Sequence, residues 1–250
     1  MKAMSKIWFF GDSYAEPPNT KKTSAKSWTI NVAEAFPEYD IENHANGGSS
    51  LDYLYYTYNK QRNQFQRGDI LIFTITTSAR LFLSSGDEEI PHFMNINYRS
   101  TDKGAELHIK GDKYYDYFVS EFFNIDSITA MLDIFLDFLY YESMNKGLKI
   151  IGLPITTLRW KTGVANLPNS LPAIDYESKN KGELHIAGGE KSLTYATRLP
   201  FSSHEEWQKV DSTLANHLTP RNNEILANKV IRHIKTNEPI DLGTEWEKTL

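Results

Sequence analysis

The chain has 250 residues, with 27 basic and 32 acidic side chains and a formal net charge of −5 at pH 7. This weak negative charge argues against general nucleic-acid binding, which requires a basic surface. Cysteine is absent, and this excludes disulfides, thiolate catalysis, iron–sulfur clusters and cysteine-ligated zinc. The length suits one large α/β domain, so we expect a single domain over residues 1–250.

No segment is apolar for long enough to span a bilayer, which takes about 18 residues or more. The best candidate, residues 130–141, is short and contains Asp133 and Asp137. The apolar run at residues 7–10 is too short for the core of a signal peptide. We therefore expect a protein that is not membrane-embedded and is either cytoplasmic or released without a cleavable signal peptide.

Short apolar segments alternate with amphipathic segments along the chain. Strands are predicted at residues 7–10, 39–44, 69–76 and 148–153, and the third is apolar enough for a central strand covered on both faces. Helices are predicted at 27–36 and 51–66, from an Asp126 cap to Gly147, and from the Thr219-Pro220 pair onward. Residues 240–250 are predicted to form a polar tail. This alternation predicts a three-layer α/β/α sandwich with a central parallel sheet.

Two polar segments, 84–113 and 156–200, have no clear hydrophobic period. Both are longer than ordinary connections in a compact domain. We therefore predict insertions at 81–125 and 156–200, which would shape access to a site at the strand ends. Their aromatic side chains suit the faces of sugar rings, although packing of the inserts onto the body accounts for most of them.

Acidic residues on the third predicted helix raise the question of a metal site. Asp133 and Asp137 are four residues apart and share a face, and Glu142 follows them. This face lies opposite the stripe of leucine, isoleucine and phenylalanine. We therefore predict a solvated face and no metal.

A candidate nucleophile follows the first predicted strand. Gly11-Asp12-Ser13 begins directly after that strand, and ligands of open α/β sheets bind at the carboxyl ends of strands. A serine hydroxyl is a poor nucleophile until a base takes its proton. Taken alone, the tripeptide is more often an ordinary turn, in which Asp12 would brace the backbone.

His217 is the candidate base. It lies just before Thr219-Pro220, in the loop that leads into the last predicted helix, and imidazole titrates near neutral pH. The alternative is a surface histidine beside a helix cap. His185 and His204 are rival bases, but neither adjoins a helix start in this way.

Four sequence blocks share the order and spacing of a known family. The first is WFFGDSY at 8–14, the second is NHANGGSS at 43–50, and the last is NHLTP at 216–220, followed by NEILA at 223–227. Together they resemble the GDSL, or SGNH, hydrolase superfamily of esterases and acylhydrolases. The resemblance implies the flavodoxin-like SGNH hydrolase fold, with Ser13 as nucleophile, His217 as base and the amide of Gly48 in the oxyanion hole.

The third block of the family normally provides an asparagine side chain to the oxyanion. Here the predicted strand runs into Thr76-Thr77-Ser78-Ala79-Arg80, which contains no asparagine. We expect Thr77, Ser78 or Arg80 to contribute instead. The loss of one oxyanion donor typically lowers the rate by about 10²–10³.

The family also places an aspartate three residues before the histidine, where this chain has Leu214. Asp211 is the nearest acid upstream. Either Asp211 reaches back to orient His217, or a backbone carbonyl orients the imidazole and the pair works as a dyad. These departures also suit a relative that has lost activity.

The expected function is cleavage of a carboxylic ester through a serine-bound acyl-enzyme, without a cofactor or a metal. The expected substrate is a carbohydrate ester, such as an O-acetyl group on a sugar, or another small-molecule ester. One alternative is a catalytically inactive SGNH-fold protein with a binding or structural role. Another is an acyl transferase acting on a sugar, which differs in keeping water out. The oligomeric state stays open.

Overall fold

The structure, a computed structural model, describes residues 4–17, 26–76, 80–83, 92–95, 97–101, 104–108, 125–155, 182–187, 192–211 and 213–247. The strands are β1 Lys6–Phe10, β2 Asp40–Asn43, β3 Ile70–Ile75, β4 Arg80–Leu83, β5 His92–Asn95, β6 Asn97–Thr101, β7 Gly104–His108, β8 Lys149–Pro154 and β9 Glu183–Ile186. The helices are α1 Trp28–Ala35, α2 Leu51–Gln61, α3 Ile125–Lys146, α4 Leu193–Arg198, α5 His204–Asp211 and α6 Pro220–Thr236, with a 3₁₀ turn at Arg62–Gln64.

Five strands form one parallel sheet in the order β2-β1-β3-β8-β9. β3 is buried along its whole length, which confirms the prediction of a central strand. Because all five strands run the same way, their carboxyl ends share one edge of the sheet, where ligands bind in such folds. The predicted α/β sandwich with a central parallel sheet is confirmed.

The core lies on both faces of this sheet because successive side chains of a strand point to opposite sides. On one face, Ile7 and Phe9 of β1 pack with α1 and α6. On the other face, Trp8 and Phe10 pack with α2 and α3. All four side chains are fully buried, and each such burial stabilises the fold by about 1.5–3 kcal/mol. Packing on both faces of the sheet therefore fixes β1, and with it the turn that follows the strand.

Side-chain caps mark the starts of α1 and α6, and the second of these is predicted from the sequence. Ser27 accepts from the amide of Ile30 at the start of α1, and Thr219 caps α6 with Pro220 as its first residue. The prediction that Asp126 caps α3 is wrong, because the helix already begins at Ile125. Over the described ranges, no helix has the length and apolar character needed to cross a membrane.

The two polar segments contain more regular structure than predicted. In place of a patternless 84–113, strands β5, β6 and β7 form parts of two antiparallel hairpins. In place of an irregular 156–200, β9 completes the parallel sheet and α4 follows it. The insertion boundaries stay predictions, since much of 81–125 and 156–200 lies outside the described residues.

The segment after α6 is not a polar tail, which corrects the sequence-based expectation. Ile240, Leu242 and Trp246 are almost fully buried and belong to the same core cluster as α6. Their spacing fits neither a helix nor a strand, so no period reveals them. The three apolar side chains are buried at irregular spacing, and the polar side chains between them are exposed.

The acidic residues of α3 do not all lie on a solvated face. Asp137 is exposed as predicted, but Glu142 is buried. The Glu142 carboxylate accepts from Arg62 Nη2 at 2.5 Å and from the Tyr58 hydroxyl at 3.0 Å. These bonds, that of Arg62 foremost, hold the pKa of Glu142 below its ordinary value. Glu142 therefore joins α3 to the end of α2.

Candidate active site

The turn after β1 holds Ser13 at the carboxyl edge of the sheet. Gly11 has a φ of 143°, and a Cβ at this position would lie 1.8 Å from Thr74 Oγ1, so only glycine fits. Asp12 is buried, and its Oδ1 accepts from the Tyr14 amide at 3.0 Å. Asp12 braces the turn, as the sequence predicts, and leaves the partly exposed Ser13 at its tip.

His217 occupies a tight turn between α5 and α6. The Leu218 amide donates to the Ala215 carbonyl at 3.0 Å, and the two central residues, Asn216 and His217, have φ values of 52° and 62°. Positive φ at both central positions is the pattern of a type I′ turn. A residue other than glycine in this conformation typically costs about 1–3 kcal/mol, and such strain collects at functional sites.

The structure brings together Ser13, His217 and Asp211. His217 Nε2 lies 2.6 Å from Ser13 Oγ, although the two residues are 204 positions apart. On the other side of the ring, His217 Nδ1 lies 2.7 Å from Asp211 Oδ1. An ionised carboxylate only accepts hydrogen bonds, so Nδ1 carries the hydrogen and Nε2 is left to accept from the serine hydroxyl.

Asp211 reaches His217 because α5 ends at that residue and the chain turns back. The amides of Thr213 and Leu214 donate to the carbonyls of Val210 and Asp211, at 2.8 Å and 3.0 Å, as the helix closes. The following turn then returns His217 over the carboxylate. Of the two arrangements that the sequence leaves open, the structure has the one in which Asp211 faces the ring.

Two aromatic rings flank the imidazole. The ring of Tyr14 lies 4.9 Å from that of His217, and the ring of Trp207 lies 6.3 Å away on α5. Burial raises the pKa of the Tyr14 hydroxyl, so this residue stays neutral. Neither residue is among the site residues predicted from the sequence. Trp207 stands four residues before Asp211, so helical spacing would have placed the two on one face.

The loop of the second block lies against the nucleophile turn. Ser49 Oγ donates to the Gly11 carbonyl at 2.6 Å, and Thr76 Oγ1 donates to the Ser49 carbonyl at 3.0 Å. Gly48 has a φ of 81°, which favours glycine. Within the described part of the chain, the amides of Ser13 and Gly48 donate to no other group. Both N–H groups are therefore available to a ligand.

The other residues expected near the oxyanion belong to the third block, at residues 76–80. Thr77 and Ser78 lie outside the described residues, as does the side chain of Arg80, the first residue of β4. Of the third block, the structure describes Thr76, whose hydroxyl is bonded to the second block. No group of three or more metal-ligating side chains occurs among the described residues.

The rival histidines differ in their surroundings. His185 is fully buried on β9, where its ring stacks on His233 at 4.1 Å and its Nε2 accepts from the Ile240 amide at 3.1 Å. It is therefore a core residue. The side chain of His204 lies outside the described residues. Of the two whose side chains the structure describes, His217 is the one that faces Ser13.

No protein-family model matches the sequence, and no curated protein matches it either. Among solved structures, the chain is similar to a protein described as a GDSL-like lipase from Parabacteroides merdae, with 15% identity and a TM-score of 0.35 over 64% of this chain and 63% of that one. It is also similar to the YxiM protein of Bacillus subtilis, with 10% identity and a TM-score of 0.33 over 62% of this chain and 34% of that one. Both matches span less than two thirds of the other protein.

Proposed function

We propose that this protein hydrolyses carboxylic esters, with Ser13 as nucleophile, His217 as general base and Asp211 as the group that orients the imidazole. The observation that supports this is the continuous chain of contacts from Asp211 through His217 to Ser13, at 2.7 Å and 2.6 Å. Both distances suit direct proton transfer and orientation. The chemistry requires neither a metal nor a cofactor.

The reaction proceeds in two halves. His217 Nε2 takes the proton of Ser13 as Oγ attacks the ester carbonyl, and the resulting oxyanion accepts hydrogen bonds from the amides of Ser13 and Gly48. The imidazolium, stabilised by Asp211, then protonates the leaving alcohol and an acyl-serine remains. A water molecule, deprotonated by the same imidazole, attacks the acyl group and releases the acid.

We take a carbohydrate ester, such as an acetylated sugar, as the substrate class. The leaving alcohol departs on the side of the imidazole, where the half-buried ring of Trp207 lies 6.3 Å from that of His217. Aromatic faces of this kind suit the apolar faces of sugar rings. The side chain of His217 is 26% exposed, which gives water access and favours hydrolysis over transfer to a second alcohol.

The test is reaction with a fluorophosphonate, followed by hydrolysis of an aryl acetate. The parent should be labelled at Ser13 and should cleave the acetate, whereas Ser13→Ala should do neither. Ser202→Ala, which changes an exposed serine bonded to Glu206, is the matched control and should behave as the parent. A folded parent that takes up no label and hydrolyses the acetate no faster than Ser13→Ala would favour a non-catalytic protein with this fold.

A further inference from the structure

The turn that carries His217 has a second residue directed at the serine turn. Asn216 directly precedes His217 and is 7% exposed. Its Nδ2 donates to the carbonyl of Ser13 at 3.0 Å and to the carbonyl of Glu16 at 2.9 Å. An amide nitrogen has two hydrogens, so both are used in binding the backbone around the nucleophile.

These bonds close a ring of contacts around the candidate catalytic pair. Asn216 holds the carbonyl of Ser13, while the next residue, His217, faces the hydroxyl of the same serine. Two neighbouring residues of one turn thus hold two atoms of one residue across the site. Asp211 contacts the opposite nitrogen of the ring, so it does not set the spacing between the serine and the imidazole.

The base of the same turn is fixed independently by Asn223 on α6. This residue is fully buried, and its Nδ2 donates to the carbonyls of Ala215 and Leu218, the two ends of the turn, at 2.8 Å and 3.0 Å. Its Oδ1 accepts from the amide of Trp28 at 2.8 Å. Asn223 therefore fixes the two ends of the turn to the rest of the fold without Asn216. The hydrogen bonds of Asn216 fix the middle of the turn relative to Ser13.

Two features of Asn216 lower the stability of its own turn. Its φ of 52° suits glycine better, and its Oδ1 is buried without a hydrogen-bond partner among the described residues. An unpaired buried carbonyl destabilises a fold. Glycine would remove both defects, but it would also leave the carbonyls of Ser13 and Glu16 without the donor that Asn216 supplies. The asparagine side chain has two N–H donors on one nitrogen, and both bind carbonyls of the turn that contains Ser13.

We propose that Asn216 is a positioning residue, whose side-chain amide holds the Ser13 carbonyl so that the Ser13 hydroxyl stays within hydrogen-bond distance of His217. This inference rests on the proposed ester hydrolysis, because the spacing of serine and imidazole matters to that chemistry. Displacements of about 1 Å at a reacting centre can lower rates by about 10²-fold. Asn216 itself touches neither the substrate nor the reacting atoms.

The test compares Asn216→Gly with Asn216→Asp. Glycine keeps the positive φ and removes both donors together with the unpaired carbonyl, whereas aspartate keeps the size of the side chain and removes the donors. Both variants should react with a fluorophosphonate about 10- to 100-fold more slowly than the parent. Both variants should still unfold in a single cooperative thermal transition above the temperature of the labelling assay, which shows that the slower labelling is measured on folded protein. Where the parent takes up label, either variant labelled at the rate of the parent would overturn the proposal.

Asn237→Gly is the matched control. Asn237 also has a positive φ, of 60°, and caps the carboxyl end of α6. The same substitution there should leave the labelling rate unchanged. If Asn237→Gly slowed labelling as much as Asn216→Gly, the effect would belong to general loosening of the fold, and the positioning role would be overturned.

A readout without turnover separates this inference from the proposed function. The ¹⁵N chemical shift of His217 Nε2 reports its hydrogen bond and can be measured in the parent, in Ser13→Ala and in Asn216→Gly. We expect Asn216→Gly to move this shift toward the value in Ser13→Ala. If the parent takes up no label yet the shift moves, hydrolysis fails and the positioning role stands. If the shift keeps its parent value, the positioning role fails whatever the labelling shows.

Discussion

Asp211 Oδ1 lies 2.7 Å from His217 Nδ1, across six residues of chain. The last residue of α5 thus provides the carboxylate, and the turn before α6 provides the imidazole. The side chain of Asp211 is 23% exposed, so part of the carboxylate stays hydrated while one oxygen faces the ring. The pairing determines which ring nitrogen is free to face Ser13.

Replacing Asp211 with asparagine should lower kcat/KM for an aryl acetate by about 10³–10⁴-fold with little change in stability. The amide NH₂ can donate to Nδ1, which favours the tautomer with hydrogen on Nε2, and that nitrogen then no longer accepts from Ser13. Asp137→Asn, on the exposed face of α3, is the control and should retain full activity. A loss below tenfold would indicate that another group orients His217.

Gly48→Ala should slow hydrolysis by about 10²–10³-fold, because the added Cβ displaces an amide that binds the oxyanion. Alanine at a φ of 81° also strains the backbone, by about 1–2 kcal/mol. Gly68→Ala provides the comparison, since Gly68 has a φ of 91° and precedes β3, at the amino end of the sheet. Equal shifts of the urea midpoint with a rate loss only in Gly48→Ala would support the oxyanion role, and equal rate losses would contradict it.

His185 should make the fold less stable as the pH falls from 7 to 5. Burial, followed by the nearby His233, lowers the pKa of His185 from 6.5 to about 4. The unfolded chain therefore binds a proton in this range while the folded chain does not, so the stabilisation is complete above pH 6.5 and decreases toward pH 4. The loss between pH 7 and pH 5 is about 2 kcal/mol.

The measurement is urea unfolding of the parent and of His185→Gln at both pH values. Glutamine can still accept from the Ile240 amide but does not titrate, so the variant should lack the part of the pH dependence that belongs to residue 185. Carboxylates titrate mainly below this range. Parallel pH dependence in the two proteins would show that His185 is not the group responsible.

Trp246→Ala should lower the free energy of unfolding by about 3–5 kcal/mol, the usual effect of emptying a buried tryptophan site. The indole is 6% exposed, and its Nε1 donates to the Leu242 carbonyl at 2.8 Å. Ile134→Ala, at a position that is 68% exposed on α3, should change stability by no more than about 0.5 kcal/mol. Similar effects of the two substitutions would mean that the segment after α6 does not share the core.

The sequence predicts an element well when its own neighbouring residues show a hydrophobic run or a helix cap. The apolar run at β3 and the Thr219-Pro220 start of α6 are legible from neighbouring residues. β9 is not, because its four residues gain their place by pairing with β8, where Ile150 is opposite Leu184. Pairing partners far apart in the chain leave no local pattern.

The candidate site divides in the same way. The sequence predicts Ser13 and His217 as site residues because each stands beside an element boundary within a recognisable block. Tyr14, Trp207 and Asn216 were missed because they contact the pair through space, from a turn, a helix face and a strained backbone position. The pairing of Asp211 with His217 also depends on where α5 ends, which no residue spacing specifies.

The distance along the chain between Ser13 and His217 has a consequence for biosynthesis. The ribosome makes Ser13 204 residues before it makes His217. His217 is held in place by α6, which docks against α1 through the hydrogen bond from the Trp28 amide to Asn223. A nascent chain that has not yet extended through α6 carries an unactivated alcohol. The time at which a nascent chain begins to take up a serine-directed label would therefore report when α6 docks against α1.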